Sequence, residues 1–213
     1  MLVSSLINIL FPQYCFSCRK LGKTICRSCA QKIKFSSGIV EAQVEIDGLY
    51  ACFAYSGVVK KTIRAGKYFS IRGALELMCS YIVEHPLRLF VTRCLSICPS
   101  CVLVPVPLHK RRFSERGFNQ SDVIARYLSL QLKIPVRNDL VVRQRYTSSQ
   151  AQLPKKEREQ NLKEAFEYTG PPHAPEGVII VDDVWTTGST AREITRVLRL
   201  AGVKYVWALT LAR

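Results

Sequence analysis

Four consecutive apolar residues, Val178, Ile179, Ile180 and Val181, run directly into an acidic pair, Asp182 and Asp183. After Val184 and Trp185 comes the polar loop Thr186-Thr187-Gly188-Ser189-Thr190. Residues 177–181 read as a buried strand. Apolar spacing over residues 189–201 predicts a helix, Ala201 and Gly202 stop it, and residues 204–210 predict a last strand. Strand, helix and strand in this order make the two strands parallel neighbours, because the crossover helix returns the chain in the same direction. The expected architecture is therefore a doubly wound α/β sheet, which binds ligands at the carboxyl ends of its strands.

The loop has the chemistry for such a place. Small side chains, hydroxyl donors and a glycine let backbone amides close around an anion at a helix start, which suits a phosphate monoester. Two carboxylates just before it would repel phosphate. They are better explained as acceptors for the hydroxyls of an attached sugar, alongside a magnesium ion. A plain strand-to-helix turn with a polar N-cap needs neither both aspartates nor the Thr-Thr-Gly-Ser-Thr string. No GxxxxGK[ST] or GxGxxG pattern occurs, which argues against nucleoside-triphosphatase and dinucleotide readings.

Further strands are expected at residues 49–55, 102–106 and 140–143, and helices at residues 58–65, 75–83 and 120–132. Pro105 and Pro107 force the chain out of the sheet after the second of these strands. The polar stretch over residues 146–161 is a candidate mobile loop. Lys60, Lys61, Arg64, Lys67 and Arg72 have no acids between them and fit either a polyanion or a solvated face.

The amino-terminal part is organised by cysteine. Cys15 and Cys18, then Cys26 and Cys29, form two CxxC pairs, and four such thiolates make a tetrahedral zinc site. A segment this short cannot build a core of its own, so the metal would supply its folding energy. Residues 1–40 are accordingly expected to form a zinc module and residues 41–213 the α/β domain, with the boundary between Phe35 and Asp47. Residues 1–11 are expected to form a short amphipathic helix packed on the module, with attachment to a membrane surface as the alternative. Cys94, Cys98 and Cys101 contain a third pair interrupted by Pro99, and read as small buried side chains.

Lys and Arg outnumber Asp and Glu by 31 to 16, a net +15 that implies polyanionic company such as phosphates, nucleic acid or acidic membrane. The opening residues lack the features of a secretion signal, and no apolar run is long enough to span a bilayer, so a cytoplasmic location is expected.

Residues 178–190 resemble the type I phosphoribosyltransferase signature. In that family the paired acids hold the ribose hydroxyls of phosphoribosyl pyrophosphate and the loop holds its 5-phosphate. The resemblance carries these roles to Asp182 and Asp183, which are also the catalytic candidates, and to Thr186, Thr187, Gly188, Ser189 and Thr190. The run Val104-Pro105-Val106-Pro107-Leu108-His109-Lys110-Arg111-Arg112 resembles the pyrophosphate loop of amidophosphoribosyltransferases. With Arg116 it implies that Lys110, Arg111, Arg112 and Arg116 neutralise the pyrophosphate, with a magnesium ion. Arg143, Arg145 and Arg158 would lie on a loop that closes over the site, as flexible loops do in related transferases.

With Arg116-Gly117-Phe118-Asn119-Gln120, the cysteine pairs and the basic helix, nearly the whole chain resembles ComF-type competence proteins. The resemblance implies a type I phosphoribosyltransferase-like parallel sheet with an amino-terminal four-cysteine zinc module. It also implies a role in DNA uptake during natural transformation, with single-stranded DNA and the uptake machinery as partners. Activity as a phosphoribosyltransferase and non-catalytic DNA binding with the site used for sensing are both left open. Tyr68, Phe69, Phe113 and Phe118 beside cations would suit DNA stacking.

Overall fold

The computed structural model describes residues 13–40, 45–68, 72–82, 87–146 and 164–213. The expectations for residues 1–11, for Phe69, for Arg158 and for most of the loop over residues 146–161 fall outside them. In chain order the elements are α1 (Arg27–Ala30), β1 (Phe35–Val40), β2 (Gly48–Phe53), α2 (Gly57–Tyr68), α3 (Arg72–Ser80), α4 (Leu87–Ile97) and β3 (Val102–Pro105). There follow α5 (Lys110–Arg116), α6 (Gln120–Leu132), β4 (Val141–Arg143), β5 (Phe166–Tyr168), β6 (Gly177–Val184), α7 (Ser189–Leu200) and β7 (Tyr205–Ala212).

The central sheet has the order β1-β2-β7-β6-β3. Only β1 is antiparallel to its neighbour. A mixed α/β fold with a mostly parallel sheet is thus what the chain forms, and β6, α7 and β7 make the expected parallel crossover. β4 and β5 form a separate antiparallel pair.

The sheet is buried on both faces, and residue parity shows how. Leu103 of β3, Ile179 and Val181 of β6, and Trp207, Leu209 and Leu211 of β7 enter one apolar cluster, which contains Val123, Ile124 and Leu128 of α6. Val102 and Val104, Val178 and Ile180, and Val206 enter the other, which contains Ile194 and Leu198 of α7. A strand with both faces covered can alternate only between apolar residues, which explains the unbroken run before Asp182. The helices that follow β3 and β6 therefore leave to opposite faces, and a crevice opens between the carboxyl ends of these adjacent strands.

β1 is hydrogen-bonded to β2, so residues 35–40, assigned above to the amino-terminal module, belong to the sheet edge. Cys15, Ile25, Cys26 and Cys29 are buried in the same cluster as Tyr50, Phe53, Val58 and Val59. The cysteine module and the sheet share this core. No helix among the described residues is long and apolar enough to cross a membrane.

Candidate functional site

The crevice is a cavity of about 550 Å³. Its floor is the carboxyl end of β6, its far wall the start of α7, one side α2, and the other side α5, the start of α6 and β4. Each wall has a local cause.

At the floor, Asp183 is buried and its Oδ2 lies 2.8 Å from the Lys67 Nζ on α2. Asp182 Oδ1 accepts hydrogen bonds from the Ser121 hydroxyl at 3.1 Å and from the Asp183 amide at 2.8 Å. Burial first, and then the neighbouring Asp183 carboxylate, push the Asp182 carboxyl up to about 7, against the opposing pull of Lys67, the Asp183 amide and Ser121. Burial disfavours the Lys67 ammonium, but Asp183 outweighs it and the Lys67 pKa is raised.

At the far wall, Gly188 caps α7 with φ 73°, a left-handed conformation that glycine adopts without steric cost. A Cβ there would also collide with the Trp185 ring. The turn brings the Thr187 and Ser189 hydroxyls within 2.9 Å of each other, and the Ser189 amide donates to the Thr187 hydroxyl at 3.4 Å. Thr186 and Thr190 line the main cavity, while Thr186, Gly188, Ser189 and Thr190 line a smaller recess beside it.

The cationic wall is positioned by capping. His109 Nδ1 accepts from the Arg111 amide to start α5, and Gly117, at φ 75°, ends it. Asn119 caps α6 by accepting from the Ser121 amide, while its Nδ2 donates to the Val106 carbonyl at the end of β3. The first turn of α6 is thereby fixed at the end of β3, and the Ser121 hydroxyl ties it to Asp182 of β6. Arg116 Nη1 donates to Gln120 Oε1 at 3.1 Å, and Gln120 is 2% exposed. Gln120 Nε2 is buried with no partner among the described residues. An orphaned buried amide lining a cavity is a strained arrangement that a ligand acceptor would relieve.

Arg143 lies 5.4 Å from the Phe166 ring centroid across the β4–β5 pair. Burial and then Arg112, with Arg116 adding to them, draw its pKa down to about 10, against the pull of Asp182. It stays cationic at neutral pH, so a set of like charges is held together at an electrostatic cost that an anion would offset.

The structure thus brings together Asp182, Asp183, Thr186, Thr190, Arg112, Arg116 and Arg143. It does not bring Lys110 or Arg111 into the cavity. Because α5 is helical, Arg112 and Arg116 share a face at i and i+4, whereas Lys110 borders a separate groove. Arg111 pairs with Glu115 at 3.2 Å and stands 4.8 Å over the Tyr146 ring. Arg145 is exposed and is not a cavity wall. Tyr55, Lys67, Gln120 and Ser121, which the sequence reading left without a role in the site, complete it.

The second site is the cysteine module. The sulfurs of Cys15, Cys18, Cys26 and Cys29 all lie within 4.8 Å of one another, a set that fits a tetrahedral ion such as Zn²⁺. Backbone bonds from Cys15 to Lys20 and from Phe16 to Thr24 hold the two knuckles side by side. The Cys26 thiol is drawn down to about 6, chiefly by the Ser28 hydroxyl and the Cys29 amide, while burial pushes Cys29 up to about 12. Four sulfurs this close ionise together only with a cation between them. Lys61 of α2 donates to the Ser17 carbonyl at 2.7 Å and ties this module to the helix that walls the cavity. Cys94, Cys98 and Cys101 are buried in the core, and no other metal-ligating cluster occurs among the described residues.

No family model matches the chain. It is 42% identical over 113 residues to competence protein F of Haemophilus influenzae, a match covering 52% of this chain and 49% of that protein. It is also 42% identical over 109 residues to the DNA utilization protein YhgH of Escherichia coli strain K12, covering 50% and 48%. Competence protein ComFC of Bacillus subtilis is 29% identical over 150 residues, covering 68% of this chain and 55% of that protein. The chain spans about half the length of the curated relatives it matches. Over these stretches the chain is similar to proteins named as competence proteins and as a DNA utilization protein.

Proposed function

We propose that the cavity binds phosphoribosyl pyrophosphate and that the chain serves DNA uptake in natural transformation. The observation that carries the ligand is the meeting of two carboxylates, an anion-binding helix start and a cluster of arginines around one small-molecule cavity. In this reading Asp182 and Asp183 accept from the ribose hydroxyls. Thr186, Thr187, Gly188, Ser189 and Thr190 hold the 5-phosphate at the start of α7. Arg112, Arg116 and Arg143 face the pyrophosphate, and Gln120 Nε2 donates to an oxygen of the ligand. A magnesium ion, when bound, would offset pyrophosphate charge, with Asp182 and Asp183 the carboxylates nearest to serve it. The names of the relatives, competence proteins and a DNA utilization protein, support the cellular setting.

The ligand assignment is tested by calorimetry with phosphoribosyl pyrophosphate, ribose 5-phosphate and pyrophosphate, each with magnesium. The intact donor should bind more tightly than either fragment. Equal affinity for pyrophosphate alone would show a bare anion site and refute the sugar assignment.

A second reading, non-catalytic binding of single-stranded DNA, is favoured by a surface outside the cavity. Tyr146 and Phe113 are 42% and 50% exposed beside Lys110 and Arg111, an arrangement suited to base stacking and phosphate neutralisation. Fluorescence anisotropy of a labelled oligonucleotide should show binding that weakens as salt rises; salt-independent or absent binding would exclude it.

A further inference from the structure

Cys98 and Cys101 lie apart from both sites, on the turn that joins α4 to β3. Pro99 and Ser100 form that turn, and the Cys101 amide donates to the Cys98 carbonyl at 3.3 Å. A four-residue turn of this kind brings its end Cα atoms within about 7 Å, and a disulfide spans about 4.4–6.8 Å. The two side chains also point the same way. A methyl group built on Gly177, the first residue of β6, would lie 2.7 Å from the Cys98 sulfur and 2.7 Å from the Cys101 sulfur. Both thiols thus press on one point of the β6 backbone, where a larger residue would displace them. Cys94, one turn earlier on α4, is buried in the same cluster. Among the described residues, however, only the amino-terminal quartet gathers as metal ligands do. The pair is placed for thiol chemistry rather than for an ion. The two residues are 0% and 2% exposed, but Pro99 and Ser100 between them are exposed, so opening of this one turn uncovers both sulfurs.

We propose that Cys98 and Cys101 are a reversible dithiol–disulfide pair, oxidised by a small-molecule disulfide. The Cys98 sulfur, with the Ser100 hydroxyl 3.7 Å away, is the point of entry. Its thiolate attacks one sulfur of the oxidant, whose S–S bond breaks, and a mixed disulfide forms on Cys98 as the first thiolate leaves. The Cys101 thiolate then attacks the Cys98 sulfur, the Cys98–Cys101 bond forms, and the second thiolate leaves. The protons of the two cysteines pass to the two released thiolates. The pair loses two electrons and the oxidant gains them. Burial, and then the hydrogen bond with Cys98, hold the Cys101 thiol above its ordinary range, so this second step is slow while the turn is closed and quickens as it opens. Because the turn already holds the two residues at bonding range, oxidation needs rotation of side chains rather than movement of the sheet. The bond then clasps the end of α4 to the start of β3.

The test uses the full chain with zinc supplied, incubated with excess glutathione disulfide as the probe. Free thiols are then alkylated, and the tryptic peptide of residues 94–110, which contains Cys94, Cys98 and Cys101 and no other cysteine, is read by mass spectrometry. The peptide should lose two hydrogens, its fragments should place the bond between Cys98 and Cys101, and excess glutathione should restore both thiols. The loss of two hydrogens should persist in Cys94→Ser and vanish in Cys98→Ser. A peptide that stays fully alkylated, or that carries only bound glutathione, overturns the proposal. So does a bond that includes Cys94, or one that excess glutathione leaves in place. The fragment masses are taken on the wild type, so the result stands whether or not either variant folds.

Discussion

Replacing Lys67 by methionine removes the ammonium that stands 2.8 Å from Asp183 while keeping the length and apolar bulk of the side chain. At an effective dielectric of about 20, charges about 3 Å apart attract by about 5–6 kcal/mol. The side chains are only 24% and 8% exposed, so part of that is cancelled by the cost of drawing the ammonium out of water. A net loss of about 2–3 kcal/mol remains, near the lower end for removing one partner of a buried pair. For a chain of this size that lowers Tm by roughly 4–12 °C. The pH dependence identifies the cause. The Lys67 pKa is raised on folding, so its contribution is fully present below the unfolded lysine value and fades only as alkaline pH passes through the folded one. In the variant the Asp182 carboxyl, which Lys67 otherwise pulls down, takes up its proton more readily. The deficit is therefore largest above neutrality and shrinks as pH falls. Thermal melts of both proteins at pH 5.5 and pH 8 (about these values) check this. An unchanged Tm at the higher pH, or a deficit of the same size at both, would refute the pairing argument.

Gln120→Leu removes a buried Nε2 that has no partner but also the Oε1 that accepts from Arg116, so the two effects offset and stability should stay within about 1 kcal/mol, while donor affinity falls by about tenfold; chemical denaturation and calorimetry read stability and affinity. Gly188→Ala places a Cβ against the Trp185 ring at a left-handed φ. It should cost about 1–3 kcal/mol and abolish binding of ribose 5-phosphate, read by melts and calorimetry. Elemental analysis should find metal bound to the wild type and lost in Cys26→Ser. Because Lys61 links the module to α2, the substitution should also weaken ligand binding in the cavity.

The strand into Asp182 and Asp183 was legible because burial on both faces leaves a run without alternation, and α6 because its apolar spacing is closed by Asn119 at one end and ends at Lys133, φ 60°, at the other. The quartet of cysteines was legible from spacing alone. From the sequence, residues 104–112 resemble a loop that carries three successive cations. The His109 cap and Gly117 make α5 a helix instead, and helical geometry turns Arg112 and Arg116 inward and Lys110 and Arg111 away. α4 went unread, because Val91, Thr92 and Ile97 are β-branched and its packing against β2 overrides that local preference. The pairing of Lys67 with Asp183, and of Ser121 with Asp182, joins residues far apart in the chain; no local pattern announces such contacts.

The most direct test of the central claim is calorimetric titration of the wild type and of Asp182→Asn plus Asp183→Asn with phosphoribosyl pyrophosphate and magnesium. Two charge-assisted hydrogen bonds at about 1.5–3 kcal/mol each imply a loss of roughly 100-fold or more in the variant. Because burial and the Asp183 carboxylate push the Asp182 carboxyl up to about 7, and the proposed binding of sugar hydroxyls or a cation needs it ionised, wild-type affinity should also weaken as pH falls below that value. A folded double variant that binds the donor as tightly as the wild type would contradict the account.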